Sequence, residues 1–162
     1  MKRALVTGGS GDIGSAICRR LALDGFELIV HAGSRLELAE QLAGQLREQG
    51  ASARAIKFDV TDAEGTRQAL EGLLADGPVQ VLVSNAGIHD DAPLAGMKPE
   101  QWRRVIDVSL NGFYNVVQPL LLPMMSTRWG RVIALSSVAG VMGNRGQANY
   151  AAAKSGLHGA IK

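Results

Sequence analysis

The sequence predicts an α/β fold, a doubly wound parallel sheet with helices on both faces, and three observations predict it. Short apolar runs alternate with longer amphipathic stretches from end to end, as in strands joined by helical crossovers. The runs Ala4–Thr7, Val79–Ser84 and Arg131–Ser136 are nearly continuously apolar, which suits strands covered on both sides. A glycine-rich turn separates the first apolar run from the first amphipathic stretch. At 162 residues the chain forms one domain, residues 1–162, large enough to bury a substantial core. No repeat, low-complexity tract or linker divides it.

In chain order, a first strand near Ala4–Thr7 precedes a helix near Ile13–Asp24, whose inner face carries Cys18 as a core thiol. A second strand near Glu27–His31 precedes a helix near Arg35–Gln49. There Leu36, Ala39, Leu42, Ala43 and Leu46 recur at helical spacing, with Glu37, Glu40, Gln45 and Arg47 between them. A strand near Ala53–Phe58 and a helix near Ala63–Ala75 follow, then a strand near Val79–Ser84 and a helix near Pro99–Met125. Pro119 and Pro123 should bend or end that helix. The last pair is a strand near Arg131–Ser136 and a helix near Asn149–Lys162.

Composition narrows the possibilities. A net charge of +2 is too small to argue for nucleic acid or a membrane surface. No apolar stretch approaches a membrane span, and the run after Met1-Lys2-Arg3 is too short for a signal peptide. A single cysteine means no disulfide framework and suits a reducing compartment, the cytoplasm by default. No metal-binding set is expected.

The turn Thr7-Gly8-Gly9-Ser10-Gly11-Asp12-Ile13-Gly14 sits where a strand hands over to a helix. Glycines there let backbone approach a pyrophosphate, and the helix N-terminus supplies amide donors; a bland tight turn is the alternative. An acidic residue roughly 20 positions further on would favour NAD. The sequence there is His31-Ala32-Gly33-Ser34-Arg35, without a carboxylate. Ser34 and Arg35 can instead hold a 2′-phosphate, unless Arg35 merely opens a solvated helix face. Asp59-Val60 and Asn85-Ala86-Gly87 follow the third and fourth strands, at the strand ends where such sheets bind ligands.

Ser136-Ser137 ends the fifth strand, and Tyr150 and Lys154 stand four residues apart at the start of the last helix, on one face. A phenol ordinarily titrates near pH 10. It exchanges protons near neutrality only if something favours its anion, as an ammonium one turn away would.

Together these segments resemble the short-chain dehydrogenase/reductase family. The loop is similar to its T-G-x-x-x-G-x-G pattern, with Asp12 where the middle glycine belongs. Because a carboxylate would repel a diphosphate, Asp12 is expected to turn inward as N-cap of the first helix, on the amides of Gly14 or Ser15. Ser137, Tyr150 and Lys154 match the family's Ser-Tyr-Lys centre, and Asn85-Ala86-Gly87 its N-A-G turn. The segments Gly143–Lys154, Gly87–Asp91 and Met97–Trp102 look most like those of 3-oxoacyl-carrier-protein reductases.

The resemblance implies a Rossmann-type sheet of order 3-2-1-4-5. It implies NADPH, with NADH the alternative, held by Thr7, Gly8, Ser10, Gly11, Asp12, Ile13, Gly14, Ser34, Arg35, Asp59, Val60, Asn85, Ala86, Gly87, Tyr150 and Lys154. Although NADP-using relatives often carry a basic residue in the loop, Gly11 stands there. The implied reaction reduces a 3-oxoacyl thioester on acyl carrier protein, as in fatty acid biosynthesis. Tyr150 gives the proton, Ser137 steadies the carbonyl oxygen, and Lys154 grips the nicotinamide ribose. Ser109 replaces the usual Asn, since Asn111 points about 200° away round the helix. Arg128 and Arg131 are implied to dock the acidic carrier beside the active site, or merely flank a buried strand, with Trp129 packing between them.

A homotetramer built on the fourth and fifth helices is implied as well. Family members continue through a further helix and two strands, so the chain is expected to be C-terminally truncated. Its fifth strand would then be an aggregation-prone edge, and the piece alone poorly soluble or inactive. Two other functions stay open: the same chemistry on another small carbonyl or alcohol, and a non-catalytic nucleotide-binding fragment.

Overall fold

A computed structural model describes residues 1–162. Five parallel strands form one sheet in the order β3-β2-β1-β4-β5. They are β1 (Arg3–Thr7), β2 (Glu27–Ala32), β3 (Ala53–Lys57), β4 (Val81–Ser84) and β5 (Arg131–Ala134). The helices are α1 (Asp12–Leu23), α2 (Leu36–Glu48), α3 (Ala63–Leu74), α4 (Pro99–Ile106), α5 (Gly112–Ser126), α6 (Ala139–Met142) and α7 (Ala148–Ala160). The doubly wound arrangement and the strand order agree with expectation, with element ends displaced by a few residues.

Strand alternation divides the core into two layers. Leu5, Ile29 and Leu82 face one way, packing with Leu70 and Leu73 of α3 and Val116, Val117 and Leu120 of α5. Ala4, Val6, Leu28, Val30, Val81 and Val83 face the other, against Cys18 of α1 and Ala39, Leu42, Ala43 and Leu46 of α2. Cys18 is fully buried, and burial pushes its thiol up to about 12, so it is the inert core thiol expected.

The region expected as one helix near Pro99–Met125 differs. The helix runs on past both prolines to Ser126, but passes through a π-helical segment, Asp107–Asn111, between α4 and α5. Pro119 and Pro123 lie four apart on one partly exposed face, while the neighbouring positions Leu120 and Met124 anchor the helix in the core. Tertiary packing of that apolar face outweighs the two missing backbone bonds. The short helices α6 and Leu94–Gly96 were not anticipated. The edge position of β5 was, and Ile133 on it is 46% exposed. No helix is long and apolar enough to cross a membrane.

Candidate active site

The C-terminal strand ends open onto a crevice of about 980 Å³. Its floor is the glycine loop. Gly8 takes φ +62°, the left-handed region that suits glycine. A Cβ on Gly14 would overlap the Gly8 carbonyl oxygen and stand 2.8 Å from the Gly9 Cα, so only glycine lets α1 seat on the loop. Gly11 is the N-cap of α1, and the amides of Asp12, Ile13 and Gly14 at the helix start make no hydrogen bond within the chain. Free amides at the positive end of a helix suit a dinucleotide diphosphate.

Asp12 does not turn inward. It is the first residue of α1, exposed on the crevice wall, with no side-chain cap bond at the helix start. Gly11 has taken the cap position one residue earlier, and a carboxylate in the first turn is held favourably by the helix dipole. Asp12→Asn is therefore expected to tighten dinucleotide binding about two- to tenfold, by removing a repulsion of order 1 kcal/mol. It should cost the helix about 0.3–1 kcal/mol. Dinucleotide titration and urea denaturation measure both sides, and an unchanged Kd would place the carboxylate away from the diphosphate.

Gly8, Ser10, Gly11, Ile13, Gly14, Ser34, Arg35, Asp59, Val60, Asn85, Ala86 and Gly87 all line this crevice. Arg35 is exposed at the N-cap of α2 with no side-chain cap bond. The Asp59 carboxylate accepts from the amide and hydroxyl of Thr61, at 2.9 and 2.8 Å. Thr7 is 1% exposed and lies outside the residues that line the crevice. Its hydroxyl accepts from the amides of Asn85 and Ala86, each at 3.0 Å, so it braces the turn. Asn85 returns the tie, its Nδ2 donating to the carbonyls of Thr7 and Gly8 at 3.0 Å.

Tyr150 and Lys154 line the same crevice, together with Leu135 and Ser136. Lys154 Nζ lies 5.7 Å from the Tyr150 ring centroid and donates to the Leu135 carbonyl at 2.7 Å. Burial holds its ammonium below the usual lysine range. A Cβ on Gly87 would stand 3.2 Å from Lys154 Nζ and 3.4 Å from Ser109 Oγ, so these two groups converge beneath that glycine. Ser109 Oγ is buried in the π segment without a hydrogen-bond partner. Asn111 instead binds Asp107 at 2.7 Å on the exposed side.

The two serines divide their work. Ser136 Oγ donates to the Lys154 carbonyl at 2.9 Å and contacts His158 Nε2 at 2.7 Å, tying β5 to α7. Ser137 does not line the crevice; its Oγ accepts from the Ala139 amide at 3.2 Å, which leaves its own proton free. Arg128 and Arg131 lie at the other end of the sheet, since β5 begins at Arg131. Along the strand Arg131 is about 17 Å from Ser136, so these arginines are not beside the crevice of their own chain. Trp129 has Lys2 Nζ 3.9 Å and the Arg131 guanidinium 5.1 Å from its ring centroid.

Two residues escaped the sequence reading. Asn149 is fully buried, donating to the carbonyls of Asp90 and Gln101 and accepting from the Tyr150 amide at 2.8 Å, so it sets where Tyr150 stands. An amide side chain next to the tyrosine at a helix start was the available signal. His31 is 1% exposed, between the glycine loop and the end of β3. Burial pushes its pKa down to about 4, against the opposing pull of the Phe58 carbonyl and Asp59. The unfolded chain therefore takes up this proton first. Stability should fall as pH drops from about 6.5 towards 4, by on the order of 3 kcal/mol. Urea denaturation of wild type and His31→Asn across that window isolates the contribution, which the variant should lose.

The family model for short chain dehydrogenase matches residues 2–162. A 3-oxoacyl-(acyl-carrier-protein) reductase of Aggregatibacter actinomycetemcomitans is 43% identical over 160 residues, 98% of this chain and 66% of the relative. The protein of the same name from Staphylococcus aureus is 40% identical over 162 residues, 99% of this chain and 66% of the relative. An acetoacetyl-CoA reductase of Cupriavidus necator is 40% identical over 157 residues, 96% and 64% of the two chains. The chain thus spans about two thirds of the length of these curated relatives. With that match running along essentially all of its residues, and with the glycine loop, tyrosine and lysine meeting in one crevice, the chain belongs to the short chain dehydrogenase family.

Proposed function

We propose that this protein reduces a 3-oxoacyl thioester carried on acyl carrier protein to the 3-hydroxyacyl form, using NADPH. The observation that carries the reading is the convergence of Tyr150 and Lys154 on the crevice that also receives the free amides of α1. When bound, the dinucleotide supplies the hydride. The chain's own groups do the rest. Glycine-loop amides hold the diphosphate, Ser34 and Arg35 the 2′-phosphate, and Asp59 and Val60 border the adenine.

Tyr150 delivers a proton to the carbonyl oxygen, and the buried Lys154 ammonium favours the phenolate it leaves. Ser137, next along the chain from the crevice-lining Ser136 and with its hydroxyl proton uncommitted, donates to the same oxygen once the substrate reaches that edge of the crevice. Ser136 is already engaged and does not compete for this role. Ser109 takes the part of the family's Asn: a water bridging its unpartnered Oγ to Lys154 would satisfy both groups and refill Tyr150.

The proposed setting is a cytoplasmic homotetramer in fatty acid biosynthesis. Docking of an acidic carrier on Arg128 and Arg131 then works from a neighbouring copy or across the length of the sheet. A second reading, a coenzyme A thioester as substrate, is favoured by the acetoacetyl-CoA reductase among the relatives.

Steady-state kinetics of the protein test the assignment. Acetoacetyl thioester is supplied on carrier protein or on coenzyme A, with NADPH or NADH. The expected result is a kcat/KM at least about tenfold higher with NADPH, equivalent to about 1.4 kcal/mol, and highest on the carrier. Preference for coenzyme A selects the second reading, and parity of the two cofactors removes Arg35 from the 2′-phosphate site. Dinucleotide binding without turnover on either thioester would reduce the protein to a nucleotide-binding module.

A further inference from the structure

We propose that His31 is a positioning residue that holds the diphosphate-binding loop in its anion-binding shape by accepting the Gly8 amide, its ring oriented by the Phe58 carbonyl at the end of β3. The inference rests on the dinucleotide reading above and adds to it a residue outside the expected site.

The geometry is a three-strand brace. His31 Nδ1 accepts the Gly8 amide at 3.1 Å, and the His31 carbonyl accepts the Gly9 amide at 2.8 Å. Both leading glycines of the loop therefore end on this one residue of β2. On its other side the ring reaches the Phe58 carbonyl, 2.9 Å from Nε2, and packs at a 40° tilt on the Phe58 ring with centroids 4.0 Å apart. Phe58 directly precedes Asp59 and Val60 of the crevice wall.

These bonds dictate the tautomer. A backbone amide donates to Nδ1, so Nδ1 is the unprotonated nitrogen, and Nε2 carries the hydrogen that a carbonyl accepts. The rigid ring fixes the separation of its acceptor and donor edges, so both contacts can be met at once. Gly8 sits at φ +62° and needs its amide satisfied in that conformation, because a buried unpaired amide is costly. Without the Nδ1 acceptor the loop loses the anchor that keeps its amides aimed at an anion.

The two ring contacts can be removed separately. Asparagine places its Oδ1 near the Nδ1 position and keeps the Gly8 bond while losing Phe58. Glutamine places its amide near Nε2 and keeps Phe58 while losing Gly8. Fluorescence titration with NADPH gives Kd for wild type, His31→Asn and His31→Gln, thermal melting reports folding, and thioester kinetics report kcat and the KM for NADPH. Expected are a Kd within about threefold of wild type for Asn, a rise of about tenfold for Gln, and matching KM changes at nearly constant kcat. Equal Kd values for all three proteins, or equal losses for Asn and Gln that follow their melting temperatures, would overturn the proposal. If wild type itself fails to bind NADPH, the dinucleotide reading falls and the inference falls with it, an outcome distinct from binding that ignores the substitutions.

Discussion

Tyr150→Phe is expected to lower turnover by about 10²- to 10⁴-fold while leaving NADPH affinity within about twofold of wild type. The ring is half-buried on α7, placed by Asn149 through its backbone amide and flanked by Lys154. Its hydroxyl makes no hydrogen bond within the chain, so deleting it breaks no internal contact and should leave the melting temperature unchanged. What disappears is the only phenol in the crevice and, with it, the proton that the carbonyl oxygen needs. Steady-state kinetics combined with NADPH titration check both halves. Loss of binding in parallel with turnover would show that Tyr150 supports the fold or the cofactor and does not transfer a proton.

Gly14→Ala carries the second large effect, and in the opposite sense: binding and stability should fail together. The added methyl would overlap the Gly8 carbonyl and press on the Gly9 Cα, with Asn85 Nδ2 at 2.9 Å closing the third side. Two of these neighbours are backbone, so relief requires α1 to lift from the loop. Overpacking of this kind costs about 1–3 kcal/mol or somewhat more. The lifted helix no longer presents its first amides to the diphosphate, so NADPH affinity should drop by more than about tenfold. Gly11→Ala is the natural control, because a Cβ there meets only the Gly8 carbonyl oxygen at 3.5 Å, and it should bind nearly as wild type. Equal behaviour of the two variants would show that the close approach at Gly14 is not what shapes the cradle.

The strands and crossovers could be read from the sequence because buried parallel strands leave nearly continuous apolar runs and amphipathic helices leave helical spacing, whereas the strand order followed from the family resemblance. The glycine loop, Tyr150 and Lys154 were legible for a related reason: their spacing is local, and local spacing survives folding unchanged. What could not be read depends on distant partners. Asp12 was expected to cap α1, but one residue decides whether Asp12 or Gly11 is the cap, and that is settled by how α1 seats on Gly8 and Gly9. Thr7 matched a cofactor-binding pattern yet turns to Asn85 and Ala86, across the sheet in β4's loop. The π segment at Asp107–Asn111 leaves no mark in composition, and Pro119 and Pro123 pointed to a break that packing of Leu120 and Met124 overrides. His31 and Asn149 each gain their meaning from carbonyls 27 and 48 to 59 positions away.

The pairing of β1 with β4, Ala4 against Val81, joins segments 77 positions apart. Neighbouring parallel strands are never made locally, and this seam is the most distant of those that border the crevice. The cradle at the end of β1 and the Asn85 turn that braces it exist only once the seam has closed. Assembly of the recognition surface and the slowest chain closure are thus one event. An early compact ensemble holding only β1, β2 and β3 would carry a glycine loop anchored on His31 but without the Asn85 turn that braces its other side, and the dinucleotide would meet the complete cradle only after that long loop is shut.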